Sequence, residues 1–317
     1  MKKIFKIFGY LIVFLIALLV VLAAWIKFTD LPTYEVKNVD ITLPTDSASI
    51  YQGGRIVETM CAYCHRSEDG VLNGKLFSPE SEGFGEIWSG NITRHPTFGL
   101  GRYKDGELAY LLRTGIKNDG KLAGPFMLFP NISDYDMACI IAYLRSDASS
   151  LTASDVERKS TRSFVLKALL KIGIFKPLPF DASPKFAPEP SDKVAVGKYI
   201  STALFDCSGC HSESFETHNV LEPEKTPGFM GGGNLILDRD FKKVKSRNIT
   251  PHPEYGIGKW NIEQFKKALR DGIRPDGTSL SDVMPKLAIL SDEEIESIWA
   301  YLQTVPPLET KKSELEN

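Results

Sequence analysis

The sequence predicts an all-α chain in which two tandem helical domains follow one membrane-spanning helix. Three observations carry that expectation. An uncharged apolar run from Ile7 to Ile26 follows Lys2, Lys3 and Lys6. The remainder of the chain repeats itself, motif by motif and in the same order. Apolar residues in both copies recur at i, i+3, i+4 and i+7, the pattern of a helix with one buried face. No segment carries a convincing strand alternation, so both halves are expected to be mainly helical with long glycine-rich loops.

Bulk properties set the bounds. A chain of 317 residues accommodates two domains of about 100–150 residues each. With 43% apolar and 25% charged residues it can build two cores. A net charge of −2 gives no case for a nucleic-acid partner. Five cysteines in a chain of this length do not describe a disulfide miniprotein.

The expected organisation is an anchor over 1–30, a first domain over 45–147, a linker over 148–190, a second domain over 191–308 and a disordered polar tail over 309–317. The apolar run of about 20 residues matches a bilayer span, whereas a cleaved signal has an apolar region of about 7–15. "VLAA" is a tolerable cleavage sequence, but length favours retention. The segment has no polar face, as a buried soluble helix would. Lysines ahead of it place the N-terminus in the cytoplasm and everything after about residue 30 on the far side.

The repeat pairs "CAYCH" at 61–65 with "CSGCH" at 207–211, "NITRHPTFGLGRY" at 91–103 with "NITPHPEYGIGKW" at 248–260, and "LLRTGIKNDG" at 111–120 with "ALRDGIRPDG" at 268–277. A methionine follows at one offset: Met127 and Met284 each lie 36 residues after Asn91 and Asn248 (127 − 91; 284 − 248). Helices are expected from about Ile50 and Val194 into the cysteine motifs, and over 104–114 and 261–271 with stops at Gly115 and Gly272. Closing helices start at Ser133 with Asp136 and at Ser291 with Glu294, both resembling capping boxes. Their apolar stripes are Met137, Ile140, Ile141, Leu144 and Ile295, Ile298, Trp299, Leu302. In the linker, "RSFVLKALLKIGIF" reads either as a strap packed over the two domains or as a basic helix on a membrane surface. Its end against Pro177 favours the strap.

CxxCH admits four chemistries. Zinc wants four ligands, yet each repeat offers two cysteines and one histidine. A thioredoxin-like dithiol follows a strand in an α/β unit, absent here. A disulfide would explain neither the histidine nor the matched methionine. Covalent haem explains every part: two thiols become thioethers and the adjacent histidine reaches the iron from the same face. A soft methionine on the opposite side raises the reduction potential and suits electron transfer.

The run from "NITPHPEYGIGKW" to "ESIWAYLQTVP" resembles class I c-type cytochrome domains, in particular those in the cytochrome subunits of bacterial membrane-bound alcohol, aldehyde and sugar-acid dehydrogenases. The resemblance covers most of 50–147 and 191–305. It implies two tandem class I cytochrome c domains carrying two covalently attached haem c groups. It implies Cys61 and Cys64 on the first, with His65 and Met127 as axial iron ligands, and Cys207 and Cys210 on the second, with His211 and Met284. Such subunits commonly carry three haem domains, whereas this chain has two motifs, and Leu128 follows Met127 where Pro285 follows Met284. The location it implies is a bacterial cytoplasmic membrane, with the haem domains periplasmic.

Several residues have plainer readings. His95 and His252, each before a proline, suit loop structure better than iron ligation. His218 reads as exposed. Met230 is a distant rival to Met284, Met60 adjoins Cys61, and Met137 falls on a core stripe. Gly231–Gly233 lack the frame of a phosphate loop. Cys139 reads as inert packing, as do Tyr103/Trp260 and Tyr143/Tyr301. Gly54 and Gly197 resemble the glycines that let class I cytochrome helices cross closely. The expected function is electron transfer, not enzyme catalysis, from a dehydrogenase or quinol-oxidising donor to an oxidase or cytochrome acceptor. The alternative is a dihaem peroxidase-like enzyme with one open iron, and the blandest reading is a structural anchor with incidental haems.

Overall fold

The computed structural model describes residues 2–124 and 127–309, so the polar tail from 310 onward lies outside the described residues. Helix α1 (Lys2–Phe28) has 27 residues and contains an 18-residue window with a mean hydropathy of 3.0. At 1.5 Å per residue it is about 40 Å long, enough to cross a hydrocarbon core of about 30 Å. Only Ile26 is buried, so the helix offers its apolar surface on all sides. The chain then runs extended, Tyr34 N–H donating to Gly120 O at 2.8 Å, with Val39, Ile41 and Leu43 laid on the core.

Each half is mostly helical. In the first, α2 (Ser47–Ile56) continues through a π turn (Val57–Cys61) into α3 (Ala62–His65), followed by α4 (Asp105–Thr114) and α5 (Asp134–Arg145). The linker holds α6 (Phe164–Lys171). The second half has α7 (Lys193–Tyr199), a π turn (Ile200–Leu204), α8 (Cys207–His211), α9 (Ile262–Asp271) and α10 (Asp292–Leu302). The helix ends follow the sequence chemistry. Ser133 and Ser291 Oγ accept from the N–H groups of Asp136 and Glu294, each cap contributing about 1 kcal/mol. Gly115 (φ 82°) and Gly272 (φ 73°) close α4 and α9 in the left-handed conformation.

The expectation that no strand would form needs correction. Strands β1 (Leu76–Ser78), β2 (Gly85–Trp88) and β3 (Thr161–Arg162) form one antiparallel sheet, and β4 (Leu235–Leu237) pairs with β5 (Lys243–Lys245). Two to four residues are too few for a period-2 pattern to show.

The core of each half is built on a helix crossing. α2 packs on α5 and α7 on α10, backbone to backbone. A Cβ at Gly53 would lie 1.9 Å from Cys139 O, and one at Gly197 would lie 1.8 Å from Ser297 O. The crossing glycine of the first half is therefore Gly53, not Gly54, where a Cβ would lie 2.8 Å from the Tyr143 ring. The second half has two more residues between crossing glycine and cysteine: 207 − 197 against 61 − 53.

The halves also grip each other reciprocally. Arg55, two residues after Gly53, reaches Glu294 at 2.5 Å and the carbonyl of Ile289 at 3.0 Å. Tyr199, two residues after Gly197, donates to Asp136 Oδ2 at 2.6 Å and accepts from Ser133 N at 2.9 Å. Each half thus addresses the capped first turn of the other's closing helix. The strap contacts come from the stretch after α6 and, among the described residues, fall on the first half: Leu178 N–H donates to Thr114 O, Lys185 and Asp134 exchange backbone and side-chain bonds, and Phe180 packs on Tyr110. Helix α6 instead lies against the end of α1, where Lys171 Nζ donates to Trp25 O at 2.8 Å and Thr29 O at 2.6 Å.

Gly53→Ala and Gly197→Ala should each lower the unfolding free energy by about 1–3 kcal/mol or more, since rigid backbone must move apart. Gly54→Ala should cost less, because the Tyr143 ring can turn. Thermal unfolding followed by circular dichroism compares the three, and an equal cost for Gly54→Ala would contradict the assignment.

Candidate functional site

The two cysteine motifs fall on single helical turns. Cys61 ends the π turn and Cys64 and His65 lie in α3, while Cys207, Cys210 and His211 all lie in α8. Helix α8 starts afresh from Asp206 (φ 40°), whose carboxylate accepts from Gly209 N–H at 3.0 Å. Spacings of three and four residues bring both thiols and the imidazole to one side of the helix. All five cysteines are free thiols. Burial pushes Cys61, Cys207 and Cys210 up to about 12 and Cys64 to about 11, so the motif thiols are neutral at pH 7. At Cys210 the negative charge of Asp206 adds to the rise.

The histidines are held identically. His65 Nδ1 lies 2.7 Å from Gly90 O, and His211 Nδ1 lies 2.7 Å from Arg247 O. A carbonyl only accepts, so Nδ1 carries the proton and Nε2 keeps its lone pair. Burial lowers both imidazoles below their ordinary value, against the opposing pull of the carbonyl, which keeps the rings neutral at pH 7. These carbonyls immediately precede the repeated "NIT". Asn91 Oδ1 accepts from Thr93 N–H and Oγ1–H at 2.9 and 2.7 Å, and Asn248 Oδ1 from Thr250 at 2.8 and 2.6 Å. The Asn–Thr turn fixes the backbone that orients the histidine. The repeat marked this segment, but a backbone acceptor has no letter of its own in the sequence.

The methionine loops are pinned at both ends. Ala123 N–H donates to Gly115 O and Leu280 N–H to Gly272 O; Phe129 N–H donates to Leu112 O and Leu287 N–H to Leu269 O, all at 2.7–2.8 Å. Met127 and Met284 each come four residues after the first pin. The second pin then follows two residues after Met127 but three after Met284. The first loop is thus one residue shorter immediately beyond its methionine, where Leu128 replaces Pro285-Lys286; Pro125 and Phe126 lie outside the described residues. Met127, Met284, Cys61 and Cys207 are half-buried and pack on one continuous core. Two arginines that sequence reading passed over hold the far ends. Arg113 donates to the carbonyls of Phe129, Pro130 and Ile132, and Arg270 to Leu290 O at 2.9 Å. Their signal was the matched "LLRTG" and "ALRDG".

The remaining candidates resolve locally. Ile92 N–H donates to Leu72 O and Ile249 N–H to Met230 O, both at 2.9 Å, so Met230 holds the place of Leu72; both side chains are fully buried in the core. Nδ1 of His95 accepts from the N–H groups of Thr97 and Phe98, and Nδ1 of His252 from Glu254 and Tyr255, so both rings cap turns. His218 is not exposed: its ring is largely covered and sits 3.4 Å from Asp206. Cys139 is fully buried in the crossing. Tyr143 and Tyr301 do more than pack, donating to Glu58 at 2.6 Å and Glu224 at 3.0 Å.

No family model matches the chain. Over most of its length it is similar to cytochrome c subunits of dehydrogenases. It is 28% identical to the alcohol dehydrogenase (quinone) cytochrome c subunit of Gluconacetobacter polyoxogenes, over 84% of this chain and 58% of that protein. It is 27% identical to the fructose dehydrogenase cytochrome subunit of Gluconobacter japonicus, over 78% of this chain and 50% of that protein. The gluconate 2-dehydrogenase cytochrome c subunit of Pantoea cypripedii is 26% identical, over 77% of this chain and 56% of its own. The chain spans little more than half the length of these relatives, and across that span it is similar to electron-transfer subunits of dehydrogenase complexes rather than to catalytic ones.

Proposed function

We propose that this chain is a membrane-anchored dihaem cytochrome c, moving electrons from a dehydrogenase or quinol-oxidising donor to a respiratory acceptor, an oxidase or another cytochrome. Two class I cytochrome c domains, 45–147 and 191–308, are joined by the linker 148–190 and held by α1 in a bacterial cytoplasmic membrane, facing the periplasm. The observation that carries this reading is the duplicated histidine whose Nδ1 is committed to a backbone carbonyl, next to two neutral thiols on the same helical turn.

That donor set fits haem c. Cys61 and Cys64, and Cys207 and Cys210, supply the thioether sulfurs. His65 and His211 offer Nε2, in the one tautomer that can bind a metal there. Among the described residues no group of three His, Cys, Asp or Glu side chains is placed to hold a zinc ion. When bound, haem c supplies an iron that alternates between ferrous and ferric. The chain's own part is to orient the imidazole through Gly90 and Arg247, to deliver Met127 and Met284 on pinned loops, and to keep water from the core. The lysines at 2, 3 and 6 support an inward N-terminus.

Two haems per chain are expected by pyridine haemochrome assay, and Cys61→Ala/Cys64→Ala should leave one. Loss of both haems or of neither would contradict independent attachment. Near-infrared absorption of the oxidised protein should show methionine-to-iron charge transfer from both sites; a high-spin component would support the peroxidase-like alternative instead. Met284→Ala should remove one such band and lower that site's potential by on the order of a tenth of a volt or more, within the ~0.8 V that axial ligands span. An unchanged potentiometric titration would remove Met284 from the ligand set.

A further inference from the structure

We propose that α6 and the turn after it form a lipid-facing platform, seated in the headgroup layer of the leaflet that α1 exits, which fixes the first half against the membrane. The inference rests on α1 spanning the bilayer and adds a second, peripheral contact to it.

The first argument is depth. The apolar run Ile7–Ile26 is about as long as the hydrocarbon core is thick, so Trp25 and Phe28 fall at its boundary, where tryptophan is favoured. Helix α6 is fastened at that level. Lys171 Nζ donates to the Trp25 and Thr29 carbonyls in the last turn of α1 and just beyond it, and lies 5.0 Å from the Trp25 ring centroid.

The second argument is surface chemistry. No residue of α6 is buried. Phe164, Val165, Ile172 and Ile174 are between 49% and 63% exposed, a cluster of apolar side chains on the stretch that adjoins α1. An exposed cluster of this kind marks a contact surface. Lys167 and Lys171 are the charged side chains within 164–175, and the stretch carries no acidic residue. Apolar side chains with interspersed lysines suit an interface with anionic headgroups, the lysine stems lying along the surface with their ammonium groups outward. A bilayer is the occupant that continuity with α1 supplies: whatever surrounds Trp25 surrounds α6 as well.

Spin labels on the full-length, haem-loaded chain test this. Val165→Cys, Ile174→Cys, Val20→Cys and Phe186→Cys are labelled singly and reconstituted in vesicles of phosphatidylethanolamine and phosphatidylglycerol; native Cys139 is buried and the other four cysteines carry haem. Collision rates with oxygen, which partitions into lipid, are compared with those of a water-soluble nickel complex. The oxygen-to-nickel ratio at 165 and 174 should exceed that at Phe186, an exposed linker residue, several-fold and approach that at Val20. Ratios at 165 and 174 equal to Phe186, with Val20 still in lipid, would overturn the platform and leave the anchor intact. Val20 in water would overturn the anchor and the platform with it. Labels at 165 and 174 shielded from both reagents would mean that protein covers the face, and would overturn the lipid assignment.

Discussion

The absence of two Cβ atoms is the constraint on which the structure depends. At Gly53 and Gly197 the leading helix of each half rests directly on a carbonyl of the closing helix, closer than any side chain would allow. That contact fixes where α2 and α7 point, and so where their continuations deliver Cys61–His65 and Cys207–His211. The closing helices in turn start at capped serines, and the arginines at 113 and 270 tie the ends of the methionine loops to those starts. One crossing therefore fixes the helix that leads to the motif histidine and, through the closing helix, the far end of the methionine loop.

What sequence reading captured was local chemistry. The caps at Ser133 and Ser291, the stops at Gly115 and Gly272 and the equal offsets to Met127 and Met284 each depend on neighbours within a few residues, and the repeat doubled every signal. Long-range geometry was harder. The resemblance that points to Gly54 cannot separate two adjacent glycines, and only the packing shows that Gly53 meets the carbonyl. The carbonyls of Gly90 and Arg247 were invisible because any residue can supply a carbonyl. Met230 shares its backbone position with Leu72, a match that the differing loop lengths hide in the sequence. Nothing near His218 in sequence indicates Asp206 as its neighbour, so its covered position is not legible there.

The two halves are copies with different elaborations, and the differences concentrate around the proposed haem sites. The second half carries a longer loop between the motif histidine and the glycine that binds its carbonyl: Gly74 N–H donates to His65 O after nine residues, Gly232 N–H to His211 O after 21 (74 − 65; 232 − 211). The first half is one residue short behind Met127. Proteins tune a metal through solvent access and the strain of the loop that presents a ligand. Such unequal surroundings are a physical route to two unequal potentials in a duplicated frame.

The attachment to α1 is unequal as well. The extended chain leaving the anchor lies on the first half at Gly106 and Gly120, and the strap from α6 to Lys185 lies on α4 and α5. The second half meets the rest through Arg55, Tyr199, the Asn131 contacts to Val220 and Leu221, and the Lys243–Glu82 pair. Arg55–Glu294 and Tyr199–Asp136 are partly shielded from water, so they resist screening better than surface pairs worth about 0–1 kcal/mol. Motion of the second half away from the first would have to break both reciprocal bonds, and either closing helix would lose a partner at its first turn. Holding the halves together thus falls to the same capped helix starts that position the methionine loops, so that the order of each loop and the contact between the halves are parts of one framework.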